Sequence, residues 1–199
     1  MKKFKKHVST EEEKKLIGYL TKKKRIKKVN VYFNKKTSDG QTKYLSGDFY
    51  SRKNNTEYFY RSSYELKCFL DLENNLEVDS YVSEGMSLPY KDSKGMNRTY
   101  IPDLLVLYKD GSMCVWEIKP KEMVKDADVQ LKAEACKKYL KSRFSGIKVD
   151  YKFITEEDLF KTPKEYTGFI AKARKVNYSK RFNKWVKQER NLTTLLIPL

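Results

Sequence analysis

TYIPDLLVLYKDGSMCVWEIK, residues 99–119, decides how this chain folds. Two apolar runs, 99–108 and 113–119, flank Lys109-Asp110-Gly111. Both are rich in the branched and aromatic side chains that suit a pleated strand. The three-residue loop fits a type I turn followed by a glycine in the left-handed region. Such a loop pairs Tyr108 with Ser112 and, stepping along the hairpin, sets Asp103 opposite Glu117. Directly opposed residues share a face, and Lys119, two residues beyond Glu117, shares it too. Two carboxylates and an ammonium are predicted to meet at the mouth of the hairpin. A two-residue loop would put Asp103 and Glu117 on opposite faces, so this prediction stands on the loop.

Working outward, residues 62–73 (SSYELKCFLDLE) read as a helix. Ser62 or Ser63 can cap it, and Tyr64, Leu66, Phe69, Leu70 and Leu72 supply its apolar face. Residues 77–82 and 86–90 read as strands, with a turn at 91–97. Beyond the hairpin come a long amphipathic helix at 123–144, a strand at 147–153 and a short helix, TEEDLF, capped by Thr155. On the other side, 9–24 read as a helix capped by Ser9 or Thr10, 29–34 as a strand, and 35–57 as a loop or irregular hairpin. Helix, run of strands, long helix, strand is the order of an α/β sandwich around a mixed sheet. The reading divides the chain into a basic N-terminal extension (1–44), a core (45–160) and a basic, aromatic C-terminal extension (161–199).

Charge follows the same division. The 199 residues carry a formal net charge of +17. Residues 1–53 hold 17 Lys/Arg and 5 Asp/Glu, and residues 161–199 hold 10 and 2. The middle, 54–160, holds 16 and 19. An acidic centre between two basic flanks suits a core that gathers carboxylates and flanks that attract a polyanion, of which nucleic acid is the usual one. Solubilising tails would look similar, but Tyr and Phe are interleaved with these charges. The three cysteines, Cys68, Cys114 and Cys136, are far apart, odd in number and without CxxC spacing. That argues against a disulfide framework or a zinc site and for a reducing compartment. The lone histidine, His7, makes histidine-based catalysis a poor reading. No apolar run approaches membrane-spanning length, and the N-terminus lacks a signal-peptide apolar core.

Paired carboxylates repel, and each resists ionising beside the other. A divalent cation resolves the conflict, and all-oxygen ligands suit Mg²⁺, with Mn²⁺ as its substitute. An adjacent ammonium can hold an attacking water or stabilise charge developing on a phosphate. A Glu-x-Lys on a solvated edge strand would have the same spelling. Here, however, Asp103 lies in the apolar IPDLLVLY and Glu117 follows the apolar CVW, and a charge in such company needs a reason.

The order E…PD…ExK resembles the PD-(D/E)XK nuclease superfamily, whose restriction-endonuclease-like core is a central mixed sheet flanked by helices. YRSSYELKCFLDLENNLEVDSYVSEGMSLPY, then RTYIPDLLV, then WEIKP, resemble the TnsA-type transposon end-cleaving nucleases. They look closer still to the head-completion nucleases of tailed phages. The resemblance covers about residues 45–155. It implies that Asp103 and Glu117 are the central metal ligands, aided by the Ile118 carbonyl, with Glu65 completing the site directly or through water. It implies Lys119 as the catalytic lysine and Gln130 as a candidate helix glutamine. Arg61 and Ser63 would bind phosphate or buttress Glu65, and capping is an equal role for Ser63. Glu84 reads as a surface strand glutamate, with assistance to the metal site as the alternative. In YSKRFNKWVKQER (178–190), Arg181, Lys184 and Lys187 are candidate phosphate contacts, while Phe182 and Trp185 share a face.

The expected activity is therefore a metal-dependent DNA endonuclease of phage or mobile-element origin, engaged in head completion, DNA trimming or DNA end cleavage. Its expected partners are DNA and phage head, portal or transposase-type proteins. Its expected location is the host-cell cytoplasm or the virion, with a homodimer if both strands are cut. The alternatives are a non-catalytic DNA-binding or head–tail joining protein and a nuclease acting on RNA.

Overall fold

The computed structural model describes residues 45–175. In chain order the elements are β1 (Gly47–Ser51), β2 (Thr56–Tyr60), α1 (Ser63–Asn74), β3 (Val78–Ser83), β4 (Leu88–Lys91), β5 (Asn97–Tyr100), β6 (Leu104–Tyr108) and β7 (Met113–Ile118). A 3₁₀ turn (Lys121–Met123), α2 (Ala127–Arg143), β8 (Val149–Ile154), α3 (Glu156–Leu159) and α4 (Pro163–Lys175) follow. The architecture is mixed α/β. Four strands form the central sheet in the order β3-β6-β7-β8, antiparallel except for the parallel β7–β8 pair. The helix expected at 9–24, the strand at 29–34 and the sites at Arg181, Lys184 and Lys187 lie outside the described residues.

The central hairpin has the expected loop. Tyr108 N–H donates to the Ser112 carbonyl and Gly111 N–H to that of Tyr108, both at 2.9 Å. Gly111 takes φ +84°, a conformation that costs a side-chain-bearing residue about 1–2 kcal/mol. The register that follows pairs Leu107 with Met113 and Leu104 with Trp116.

One expectation is corrected. Residues 99–108 are two strands, not one. Hydrogen-bonded pairs alternate along an antiparallel ladder. Starting at 108/112, the next such position after 104/116 is 102/118, where Pro102 has no N–H to give. The Ile118 N–H instead donates to Asp103 Oδ2 at 2.7 Å. A side-chain carboxylate thus takes over where the ladder stops. The chain turns away, and β5 pairs with β4 in a separate ribbon. Asp103 accordingly stands at the mouth of β6, outside the strand.

The two faces of the sheet carry different helices. Tyr81, Leu104, Val106, Ile118 and Ile154 share one face by register and join Leu66, Cys68, Phe69 and Leu72 of α1 in the main core cluster. Burying each large apolar side chain there contributes about 1.5–3 kcal/mol. Leu105, Val115, Glu117 and Tyr151 share the other face, on the side of α2, whose buried residues are Val129, Ala133, Cys136 and Leu140. Ser62 caps α1, accepting the Glu65 N–H. Asp126 caps α2, so that helix begins a few residues later than its apolar pattern implied. Thr155 and Asp158 form the capping box of α3.

The helix α4 was not anticipated from the sequence. Its signal was present in TPKE: the Thr162 hydroxyl accepts the Glu165 N–H, Pro163 opens the helix, and Glu165 accepts the Lys161 N–H. Tyr166 and Phe169 pack on the main core cluster and Ala173 is buried. Among the described residues, no helix is long and apolar enough to cross a membrane. All three cysteines are free and buried.

Candidate active site

The strand termini converge at one end of the central sheet. There β3 and β7 end, β6 begins, and β8 hands its last carbonyl, from Ile154, to the Lys119 N–H. The N-terminus of α1 supplies Arg61 and Glu65 from the adjoining layer.

Lys119 Nζ lies 2.8 Å from Glu117 Oε1, 3.1 Å from the Ile118 carbonyl oxygen and 3.5 Å from Asp103 Oδ2. Three oxygens from three residues thus converge on one positive charge. Glu117 is almost wholly buried, at 3% exposure, while Asp103 and Lys119 are each about one quarter exposed. The cluster therefore opens to solvent on the Asp103 side. Burial and the neighbouring Glu117 raise the Asp103 pKa to about 7, against the opposing pull of Lys119 and the Ile118 N–H. Burial disfavours the Lys119 ammonium, but Asp103 and Glu117 outweigh it and hold its pKa above the usual value. The site carries more negative charge than its environment tolerates, and one lysine offsets part of it.

The other Glu117 oxygen, Oε2, accepts a hydrogen bond from Tyr100 OH at 2.5 Å, and that hydroxyl lies 3.1 Å from Tyr151 OH. Tyr100 belongs to the RTYIPDLLV stretch that carries the resemblance but is given no role there, and Tyr151 is not singled out. Tyr151 pairs with Val115 in the parallel register, two residues from Glu117 and on its face, so parity would have found it once the β7–β8 pairing was known. Tyr100 reaches Glu117 only because the chain leaves the sheet at Pro102.

Glu65 stands in the first turn of α1, and its charge adds to the rise in the Asp103 pKa. Its own oxygens accept the Arg61 N–H at 3.0 Å and the Ser62 hydroxyl at 3.2 Å. Burial raises its pKa, partly countered by Arg61 and Ser62. Among the described residues, no three His, Cys, Asp or Glu side chains form a metal-binding group. The donor set is instead two carboxylates and a main-chain carbonyl, with the Glu65 charge felt at Asp103. Hard oxygens converging on the Lys119 ammonium fit Mg²⁺ or Mn²⁺ in chemistry.

Arg61 pairs with Glu84 at 2.5 Å, on the exposed rim. Glu84 adopts φ +53°, uncommon for a residue with a side chain, and its N–H donates to the Asp103 carbonyl at 3.1 Å. Glu84 is thus a site-edge residue rather than a strand residue. Ser63 is 8% exposed with its hydroxyl 3.3 Å from Tyr166 OH, so it braces α1 against α4 and faces no solvent. Gln130 donates Nε2 to the Val124 carbonyl, a bond that ties α2 to its preceding turn and not to the carboxylate pair.

A family model described as TnsA-like endonuclease N terminal matches residues 75–156. The matched segment includes Asp103, Glu117 and Lys119, and leaves out Arg61 and Glu65. Residues 75–156 are similar to that endonuclease domain. No curated protein matches the chain.

Proposed function

We propose that this protein is a metal-dependent DNA endonuclease. The observation that carries the reading is the convergence of Asp103, the Ile118 carbonyl and Glu117 on the Lys119 ammonium, within a segment similar to an endonuclease domain. Asp103, Glu117 and the Ile118 carbonyl would hold Mg²⁺, or Mn²⁺ in its place, and Glu65 would complete the site directly or through water. When bound, a divalent cation supplies Lewis-acid polarisation of the phosphate and eases ionisation of the attacking water.

The chain's own residues do the rest. Glu117, buried and held from both sides, fixes the geometry. Lys119 donates hydrogen bonds to the water or to the phosphate oxygen that gains charge as water attacks. A bond forms between the water oxygen and phosphorus, the bond to the 3′ oxygen breaks, and a proton passes to that leaving oxygen. The products are a 5′-phosphate and a 3′-hydroxyl. Arg61, on the rim, would meet a phosphate. The basic segments 1–53 and 161–199 supply non-specific affinity for DNA through counterion release.

The resemblance to transposon end-cleaving and phage head-completion nucleases supports a role in cutting or trimming the DNA of a mobile element or phage. Phage head or portal proteins, or a transposase-type protein, are the partners proposed on the same ground. Supercoiled plasmid and a structured RNA, each incubated with Mg²⁺, Mn²⁺ or EDTA, test the reading. Nicking or linearisation of plasmid with either metal, blocked by EDTA, supports it. Cutting of RNA alone would move the assignment to an RNA nuclease. A mobility shift without cutting would favour a DNA-binding or joining protein.

A further inference from the structure

We propose that Tyr100 is a positioning residue for Glu117, fixing one carboxylate oxygen so that the other is aimed at the cation-binding point. The inference rests on the metal-site reading above and adds to it a residue from outside the central sheet.

The two oxygens of Glu117 have separate duties. Oε1 faces Lys119 Nζ at 2.8 Å, where Asp103 and the Ile118 carbonyl also converge. Oε2 faces Tyr100 OH at 2.5 Å. A phenol has one proton, and Tyr100 gives it to Glu117. The 3.1 Å contact with Tyr151 must then be donated by Tyr151 OH, which makes a directional chain from Tyr151 to Tyr100 to Glu117. Tyr100 and Glu117 are each 3% exposed, and Tyr151 is 7% exposed, so water does not compete for these bonds. Burial and the Glu117 charge keep the Tyr100 phenol protonated.

The tyrosines are themselves held. Tyr100 ends the β4–β5 ribbon, and its ring meets Tyr90 edge-on at 6.4 Å between centroids. The ribbon is tied to α2 by the Ser93 N–H to Asp128 and by Lys132 over the Tyr90 ring. Lys137 of α2 covers the Tyr151 ring. A glutamate has three rotatable side-chain bonds, and a single contact at Oε1 leaves its plane free to turn. Two bonds on opposite oxygens define that plane, and outer-shell partners of this kind set metal affinity.

The test is Mn²⁺ binding by titration calorimetry, together with plasmid cutting across a series of Mn²⁺ concentrations, for wild type, Tyr100→Phe and Tyr151→Phe. Tyr100→Phe keeps the ring and removes one hydroxyl. The expected result is an Mn²⁺ affinity lower by about 10–100-fold. The Mn²⁺ concentration for half-maximal cutting rises in step, and the rate recovers to near wild type at saturating metal. Tyr151→Phe, one bond further away, shows the same pattern more weakly, and it carries the test if Tyr100→Phe fails to fold. A lower melting temperature with unchanged Mn²⁺ affinity and half-maximal concentration would mean a packing role alone and would overturn the proposal. If wild type binds Mn²⁺ and cuts while both variants match it, the proposal falls and the metal site stands. If wild type neither binds Mn²⁺ nor cuts, both fall.

Discussion

Lys119 Nζ sits 2.8 Å from Glu117 Oε1, reaching back from just past the end of β7 to the carboxylate two residues before it. The ammonium thereby stands where three oxygens meet, which is also where a divalent ion would be held. Lysine and metal are rivals for one position, and the lysine must yield the oxygens for the site to work as proposed. Lys119→Met removes the rival and leaves two crowded carboxylates, so the variant should bind Mn²⁺ more tightly than wild type and cut plasmid far more slowly. Calorimetry and a cleavage time course measure the two effects. Weaker binding in Lys119→Met would show that the lysine holds the site open instead.

Asp103 makes stability depend on pH in a direction opposite to that of most carboxylates. Its pKa is about 7 in the folded chain and near 3.8 when unfolded. The folded state therefore holds its proton more tightly, and the side chain favours folding at low pH. That contribution is lost as pH rises from about 4 through about 7. Asp103→Asn keeps an acceptor for the Ile118 N–H and cannot ionise. In EDTA it should melt above wild type at pH 8, with the gap closing by pH 4. Parallel melting curves across that range would contradict the account.

Arg61 and Glu84 are 46% and 37% exposed, and an ion pair so placed contributes at most about 1 kcal/mol. Arg61→Ala should accordingly lower the melting temperature by no more than about 4 °C while raising KM for DNA several-fold. Equal KM values in wild type and variant would remove Arg61 from the phosphate-binding surface.

Gly111 separates backbone cost from packing cost. An added Cβ would meet nothing within 4 Å, so Gly111→Ala pays only for φ +84°. The expected loss is about 1–2 kcal/mol, read by chemical denaturation, with cleavage unchanged below the transition.

How far these features could be read from the sequence depended on range. The hairpin register is legible because Lys109-Asp110-Gly111 is a local signal, and the start of α1 is legible because Ser62 and Ser63, both capping residues, precede its apolar face. The break at Pro102 is not. The proline sits between two runs that each look like strand, and the fact that its missing N–H falls on a hydrogen-bonded position emerges only from the full register. The roles of Tyr100 and Tyr151 are not legible for a similar reason. They meet Glu117 through a ribbon that folds back and through a parallel pairing, neither of which leaves a nearby pattern. The helix α4 has a local signal in TPKE, which the basic composition of residues 161–199 masks.

Glu117 tests the central claim most directly, because it is the carboxylate that both Lys119 and Tyr100 hold. The measurement is the rate at which Glu117→Gln nicks supercoiled plasmid in Mg²⁺ and in Mn²⁺, with plasmid binding measured alongside. The substitution keeps the size of the side chain and removes its charge. The account predicts binding close to wild type and cutting reduced by at least about 100-fold in both metals, on the order of what removing one charge-stabilising group from an active site costs. Wild-type cutting by Glu117→Gln would contradict it and place the chemistry elsewhere in the chain.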